Sequence, residues 1–349
     1  MFTFEQYQTL SEMSMPDKKK MIIDLLGDLD DSQMDKILTI IAEPKIDQLL
    51  EDINKKKNNA FSDNDLRLIK NNVLDAPGST EDKLEFLQKC LDSGHIDMGA
   101  VLRMGTTSVV DINRQVQRDR ILKHVFNRLG GKGGGGFNLN SGSAVGPGEG
   151  FFVLVCDGVT KGKVGDLMYN GGDVELKANA ARWHSARASY GSVREMFPIA
   201  HKESGTKVSL DEFKKLVDFR ANKFVDVKTL KALGVSKEQL GKAIAKGLAK
   251  VFPNTANFKY ITKGDWVGSS IKWRAAYAYT IASVYQAADG WEYIVQYNYA
   301  RKTLFAMKDP EAVYKGIISG KLKTSATTDG NMHGGSDSRS VSPNFDVGK

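Results

Sequence analysis

The segment at residues 167–176 constrains the fold more than any other stretch, because it predicts a tight β-hairpin. Two short apolar runs, Leu167–Tyr169 and Val174–Leu176, flank the tripeptide Asn-Gly-Gly at 170–172. Asn-Gly is the strongest short-range signal of a two-residue hairpin loop, since a type I′ turn requires positive φ at both central residues. The sequence therefore predicts two antiparallel strands joined at this turn.

Counting outward from the turn places charged residues opposite one another. If the loop is Asn170-Gly171, Asp166 lies opposite Glu175. If the loop is Gly171-Gly172, Asp166 lies opposite Lys177. Side chains alternate along a strand, so the two acids and the lysine share one face in either register. Opposed carboxylates repel by on the order of tenths of a kcal/mol or more, and a cation between them would remove that repulsion. An oxygen-only pair of acids suits Mg²⁺.

The order of these residues resembles the motif of the PD-(D/E)XK nuclease superfamily. Gly165-Asp166 is followed after about nine residues by Glu175-x-Lys177 on the next predicted strand. The resemblance covers roughly residues 145–185, and Val164-Gly165 stands where the family name has Pro. The Gly-rich segment before it and the basic segment after it are similar to phage-encoded members in particular. The alternative is an exposed hairpin whose charges are simply solvated.

The resemblance implies a fold and a set of roles. The implied fold is α+β (mixed α/β), a restriction-endonuclease-like core with a mixed sheet flanked by helices. Glu149 would be the upstream acid, on the helix before the first strand. Together with Asp166 and Glu175 it would hold Mg²⁺ or Mn²⁺. Lys177 would orient or activate the attacking water.

Charge divides the chain of 349 residues unevenly. The first 100 residues carry 12 Lys and Arg against 20 Asp and Glu, a net charge of −8, whereas the remainder carries +15. A basic block around an acidic site is what a binder of phosphate backbones needs, so we expect DNA as the partner. No apolar run approaches 18 residues and the N-terminus lacks the pattern of a signal peptide, so no membrane partner is expected. Cys90 and Cys156 stand apart from any Cys/His cluster, which excludes a structural zinc site and fits a reducing cytosol.

Four segments are predicted along the chain: an acidic helical domain at 1–129, a Gly-rich hinge at 130–147, the nuclease-like domain at 148–323, and a mobile or extended tail at 324–349. Apolar residues at three-to-four spacing predict the helices of the first segment, which are Asp17–Leu26, Asp31–Ala42, Pro44–Asn58, Asp63–Val73, Thr80–Leu91 and Asp111–Leu129. The glycine segment follows a helix, and Lys132 has no Ser or Thr after it, so it is not a P-loop.

Two basic clusters are candidate DNA contacts. Arg182, His184 and Arg187 follow the hairpin, beside a Trp that could pack on a sugar or base. The predicted helix that begins after Ser236 carries a lysine at every fourth position, namely Lys242, Lys246 and Lys250. An exposed basic loop and a solvated helix face are the respective alternatives.

These observations favour two functions. The first is a Mg²⁺-dependent endonuclease that hydrolyses DNA in the cytoplasm of a host cell. The second is a phage virion or assembly protein that keeps a nuclease-like fold for DNA contact without cleavage. In both cases the acidic helical domain could dock on phage structural proteins, although a merely solvated surface explains its acids as well.

Overall fold

A six-stranded mixed sheet with helices on both faces organises the chain, which confirms the predicted α+β class. The computed structural model describes residues 14, 27, 30–105, 108–129, 147–162, 166–178, 195–217, 225–252, 258–324 and 345–347. The strand order in the sheet is β1-β6-β5-β4-β3-β2. These strands are β1 (Val110–Asp111), β2 (Val159–Lys161), β3 (Leu167–Tyr169), β4 (Gly172–Ala178), β5 (Tyr293–Asn298) and β6 (Thr303–Met307).

The helices lie before, within and after this set of strands. Those of the N-terminal part are α1 (Asp31–Lys56), α2 (Asp63–Leu74), α3 (Thr80–Asp92), α4 (Met98–Gly105), α5 (Asn113–Arg118), α6 (Arg120–Leu129) and α7 (Pro147–Val155). Those of the C-terminal part are α8 (Met196–Ser204), α9 (Leu210–Leu216), α10 (Val227–Leu233), α11 (Lys237–Val251), α12 (Lys259–Thr262), α13 (Ser270–Asp289) and α14 (Pro310–Ile318). No described helix is both long and apolar enough to cross a bilayer.

The pairing of β4 with β5 is the one parallel pair of this sheet, and the remaining neighbours are antiparallel. Parallel neighbours need a long crossover connection. Here the crossover contains α8 to α13, and α13 packs on one face of the sheet through Tyr285 and Ile294. The opposite face packs on α7 and the N-terminal helices. After the crossover, β5 and β6 form a second antiparallel hairpin.

The β3-β4 hairpin has the first of the two predicted registers. Leu167 pairs with Val174, and the loop residues Asn170 and Gly171 have φ values of 49° and 85°. Both values are positive, as a type I′ turn requires. The alternative loop at Gly171-Gly172 is therefore wrong, because Gly172 is the first residue of β4.

Two predicted helix boundaries in the N-terminal part are wrong. A single helix, α1, passes through Pro44 where two helices were expected. A proline removes one backbone hydrogen bond from a helix interior, and the packing of this helix outweighs that loss. The predicted helix Asp111–Leu129 is instead a strand and two helices. Asp119 separates α5 from α6, since its Oδ1 accepts hydrogen bonds from the backbone N–H of Ile121 and Leu122 at 2.8 and 2.9 Å.

The helical N-terminal part shares one apolar core with α7 and the sheet. The C-terminal end of α7 is held by this part: Lys57 Nζ donates to the Cys156 carbonyl at 2.5 Å, and His95 N–H donates to the Val155 carbonyl at 2.6 Å. Lys57 is almost completely buried, and burial lowers its pKa. The domain boundaries at 129 and 148 stay predictions. Of the Gly-rich hinge, residues 130–146 lie outside the described residues, and Pro147 begins α7.

The C-terminal tail contains a strand. Two short strands, β7 (Leu322–Thr324) and β8 (Phe345–Val347), pair antiparallel in a second sheet. This part of the tail is therefore extended, which is one of the two expected states. Residues 325–344, 348 and 349 lie outside the described part of the chain.

The turn can be tested with two substitutions of opposite character. Gly171→Ala forces an L side chain into the left-handed region, so we expect it to lower the free energy of unfolding by about 1–2 kcal/mol. Asn170→Gly places the permissive residue at the neighbouring position of positive φ, so we expect a change below about 0.5 kcal/mol. Urea unfolding of both variants measures the difference. Equal effects of the two substitutions would contradict a type I′ turn.

Candidate functional site

Two strands of the hairpin place three charged side chains on the face that α13 covers. Alternation along β4 sends Val174 and Leu176 into the core shared with α7. Glu175 and Lys177 point the other way. Asp166 directly precedes β3 and lies opposite Glu175 when the observed pairing is extended by one residue. The prediction that these three side chains share a face is confirmed by their contacts.

Lys177 bridges the two acids. Its Nζ lies 3.8 Å from Asp166 Oδ2 and forms an ion pair with Glu175 Oε1. The backbone N–H of Leu176 donates to Asp166 Oδ2 at 2.8 Å, and the hydroxyl of Tyr285 donates to Glu175 Oε1. Side-chain exposure is 24% for Asp166, 10% for Glu175 and 19% for Lys177. The cluster is therefore mostly withdrawn from water, where charges interact strongly.

Burial and mutual repulsion perturb the acids. Burial, and then the charges of Glu175 and Glu149, raise the pKa of Asp166 from its ordinary 3.8 to about 7, against the opposing effects of Lys177 and the Leu176 N–H. Burial alone would lower the pKa of Lys177, but the surrounding carboxylates raise it above its ordinary value. A carboxyl group with a pKa near neutrality, such as that of Asp166, beside a charged lysine is typical of a functional site.

Glu149 approaches the pair from another element. It lies in the first turn of α7, and its charge acts on Asp166, on Lys177 and on the buried Tyr297 of β5. Among the described residues no three His, Cys, Asp or Glu side chains are close enough to hold one metal ion. The predicted role of Glu149 as a ligand, direct or through water, stays a prediction.

The carboxylate pair has a donor set that fits a divalent cation. The contacts of Asp166 with described residues are made through Oδ2, and those of Glu175 through Oε1. Within the described part of the chain, Asp166 Oδ1 and Glu175 Oε2 thus accept no hydrogen bond. Mg²⁺ takes one or two protein carboxylates and completes its octahedron with water and substrate oxygens. The carboxylates of Asp166 and Glu175, opposite each other across the hairpin, match that requirement.

The structure does not join the predicted DNA contacts to this pair. The lysine row lies on the exposed face of α11, and Lys246 Nζ pairs with Glu203 Oε2 at 2.5 Å. No contact among the described residues links Lys242, Lys246 or Lys250 to the carboxylates. Arg182, His184 and Arg187 lie outside the described residues. Their predicted roles stay predictions.

Two buried polar residues of the site were missed by the sequence argument. Tyr285 is 110 residues from Glu175 along the chain. Its helix shows only a composition rich in Ala and Tyr, and that composition carries no sign of a polar contact. Gln296 is fully buried and lies beside Lys177 in the parallel pair. In the sequence, a glutamine that follows the apolar residues Ile294 and Val295 was the one sign of a buried polar residue at this position.

The raised pKa of Asp166 predicts a pH-dependent stability. The unfolded carboxyl ionises near 3.8 and the folded one near 7, so the fold loses stability as the pH rises between these values. Asp166→Asn removes this loss. We expect the variant to exceed the wild type by on the order of 1–3 kcal/mol at pH 8 and to match it at pH 4.

Urea unfolding in EDTA at both pH values is the measurement. Asp157→Asn serves as a control of opposite sign, because the hydrogen bond from Lys56 lowers the pKa of Asp157. For this control the wild type should be the more stable at pH 8. An Asp166→Asn variant that gains nothing on going from pH 4 to pH 8 would contradict the buried, repelled state of the carboxyl group.

Comparison with known proteins provides no relative for this arrangement. No protein-family model matches the chain, and no curated protein matches it. No solved structure matches it either. The function is therefore inferred from the side chains of the site and their contacts.

Proposed function

We propose that this chain is a Mg²⁺-dependent phosphodiesterase that hydrolyses DNA, with Mn²⁺ as an alternative ion. The sheet, the hairpin and α7 would form a core of the restriction-endonuclease type. The observation that supports this most is the meeting of Asp166 and Glu175 across a hairpin, with Lys177 between them. A fold that holds two buried carboxylates this close gains most when a cation joins them.

Each residue of the cluster has a distinct task in this proposal. Asp166 and Glu175 would hold the ion through their carboxylate oxygens. When bound, Mg²⁺ polarises a phosphoryl oxygen and lowers the pKa of a coordinated water. Lys177 orients the attacking water and offsets the negative charge that develops on the phosphate. Glu149, at the start of α7, would be a further ligand, either directly or through a water.

The present position of Lys177 supports that task. Its ammonium already lies between the two carboxylates, so a water or phosphate oxygen bound there is within its reach. The Lys177 side chain is also only 19% exposed, so its ammonium is largely shielded from water. A positioned cation in a site shielded from water stabilises developing charge more than a solvated one does.

The charge of the remaining chain agrees with a nucleic-acid substrate. Residues 101–349 carry a net charge of +15, which attracts a phosphate backbone. Lys242 and Lys250 are exposed on α11, as a row of phosphate contacts requires. We propose that these lysines bind the DNA backbone and take no part in the cleavage step.

One observation favours a second candidate, a phage virion or assembly protein that contacts DNA without cleaving it. Lys177 pairs with both acids from within the chain, so part of their repulsion is offset without an ion. The acidic N-terminal part would then dock on phage structural proteins. Incubation of the purified chain with supercoiled plasmid and Mg²⁺, with and without EDTA, separates the two candidates. Cleavage only without EDTA supports the nuclease, whereas intact plasmid in both samples supports the second candidate.

The first activity prediction concerns the metal-binding pair. Asp166→Asn keeps an acceptor for the Leu176 N–H but removes the charge that binds the ion, so we expect cleavage to fall by on the order of 10²-fold or more. The matched control is Glu292→Gln. Glu292 is an exposed acid near the turn end of the same sheet, 3.7 Å from Lys308. Full activity in Asp166→Asn, or equal loss in both variants, would contradict the assignment.

The second activity prediction separates chemistry from binding at Lys177. Lys177→Ala should lower the single-turnover cleavage rate by ~10²-fold, the scale of losing one positioned electrostatic group. DNA affinity should change little, because one cation among many is a small part of the field. The rate and a binding titration on the same variant decide it. A collapse of affinity with an intact chemical rate would make Lys177 a phosphate anchor instead.

A further inference from the structure

Tyr285 connects the crossover helix α13 to the hairpin. Its hydroxyl donates to Glu175 Oε1, and both side chains are buried. A hydrogen bond to an ionised carboxylate is about twice as strong as one between neutral groups. In a buried site water does not compete with it. This contact therefore fixes the carboxylate of Glu175 and not only the backbone that carries it.

The ring of Tyr285 is itself held in place. It packs edge-on against Trp291, with 6.2 Å between ring centroids, and Trp291 is buried under the same sheet. Ala278 and Ala282 of α13 and Ile294 of β5 belong to the same apolar cluster. Close packing leaves few alternative rotamers, so the hydroxyl is presented from a rigid support.

The two donors to Glu175 select one of its oxygens. Tyr285 and Lys177 both contact Oε1. Within the described part of the chain, Oε2 accepts no hydrogen bond. If either donor were absent, the carboxylate could rotate about its terminal torsion, which is broad for glutamate.

We propose that Tyr285 is a positioning residue that orients Glu175 so that Oε2 is available to a divalent ion. This inference rests on the proposed function, since it assigns Tyr285 a role toward the same ion. Residues that hydrogen-bond a metal ligand typically change metal affinity or activity by about 10–100-fold when they are removed.

The test is Tyr285→Phe, which removes one oxygen and keeps the packed ring. We expect Mn²⁺ to bind ~10-fold more weakly, measured by calorimetry without DNA. Saturating Mn²⁺ should restore most of the cleavage rate, since the loss lies in placing the ligand. Tyr277→Phe is the matched control, because it removes a buried hydroxyl from the same helix within a different apolar cluster. It should bind Mn²⁺ like the wild type.

A second variant distinguishes positioning from general stability. Glu175→Asp shortens the carboxylate, so that it no longer reaches the hydroxyl of Tyr285. If Tyr285 acts through Glu175, adding Tyr285→Phe to Glu175→Asp weakens Mn²⁺ binding no further, whereas independent effects multiply. Equal Mn²⁺ affinity in Tyr285→Phe and Tyr277→Phe, or multiplying effects in the double variant, overturns the positioning role. A wild type that neither binds Mn²⁺ nor cleaves DNA overturns the proposed function itself.

Discussion

The close approach of Asp166 and Glu175 is the interaction on which the rest of the site depends. Their register follows from a two-residue turn with positive φ at both positions. Burial and the second carboxylate raise the pKa of Asp166 toward neutrality. A fold that only required stability would place apolar residues here, since buried ionic clusters contribute little to it. Lys177 pairs with both acids and compensates part of this repulsion.

Three separate parts of the chain support this pair. The hairpin supplies the acids and the lysine, α7 supplies Glu149, and α13 supplies Tyr285. The N-terminal helices hold the far end of α7 through Lys57 and His95. The Lys57 ammonium also interacts favourably with the negative end of the α7 helix dipole. The N-terminal helices thus help to position α7, whose first turn carries Glu149.

The sequence predicted the features that local chemistry decides. The Asn-Gly turn fixes its own register. The helices predicted to begin at Asp63, at Thr80 and after Ser236 start at those residues, each behind a capping box. The contact of Tyr285 with Glu175 could not be predicted, because it depends on a parallel pairing that closes over more than a hundred residues. The break predicted before Pro44 was wrong because tertiary packing also outweighed the local rule that a proline ends a helix.

A crystal structure of the wild type with Mn²⁺ and a short DNA duplex, read by anomalous scattering, tests the central claim most directly. The account predicts an ion at about 2.0–2.2 Å from one oxygen each of Asp166 and Glu175, as hard divalent cations require. It also predicts that the Lys177 ammonium moves off the carboxylates toward the scissile phosphate. A structure at saturating Mn²⁺ in which Lys177 stays between the two acids and ions bind only at other positions would contradict the account.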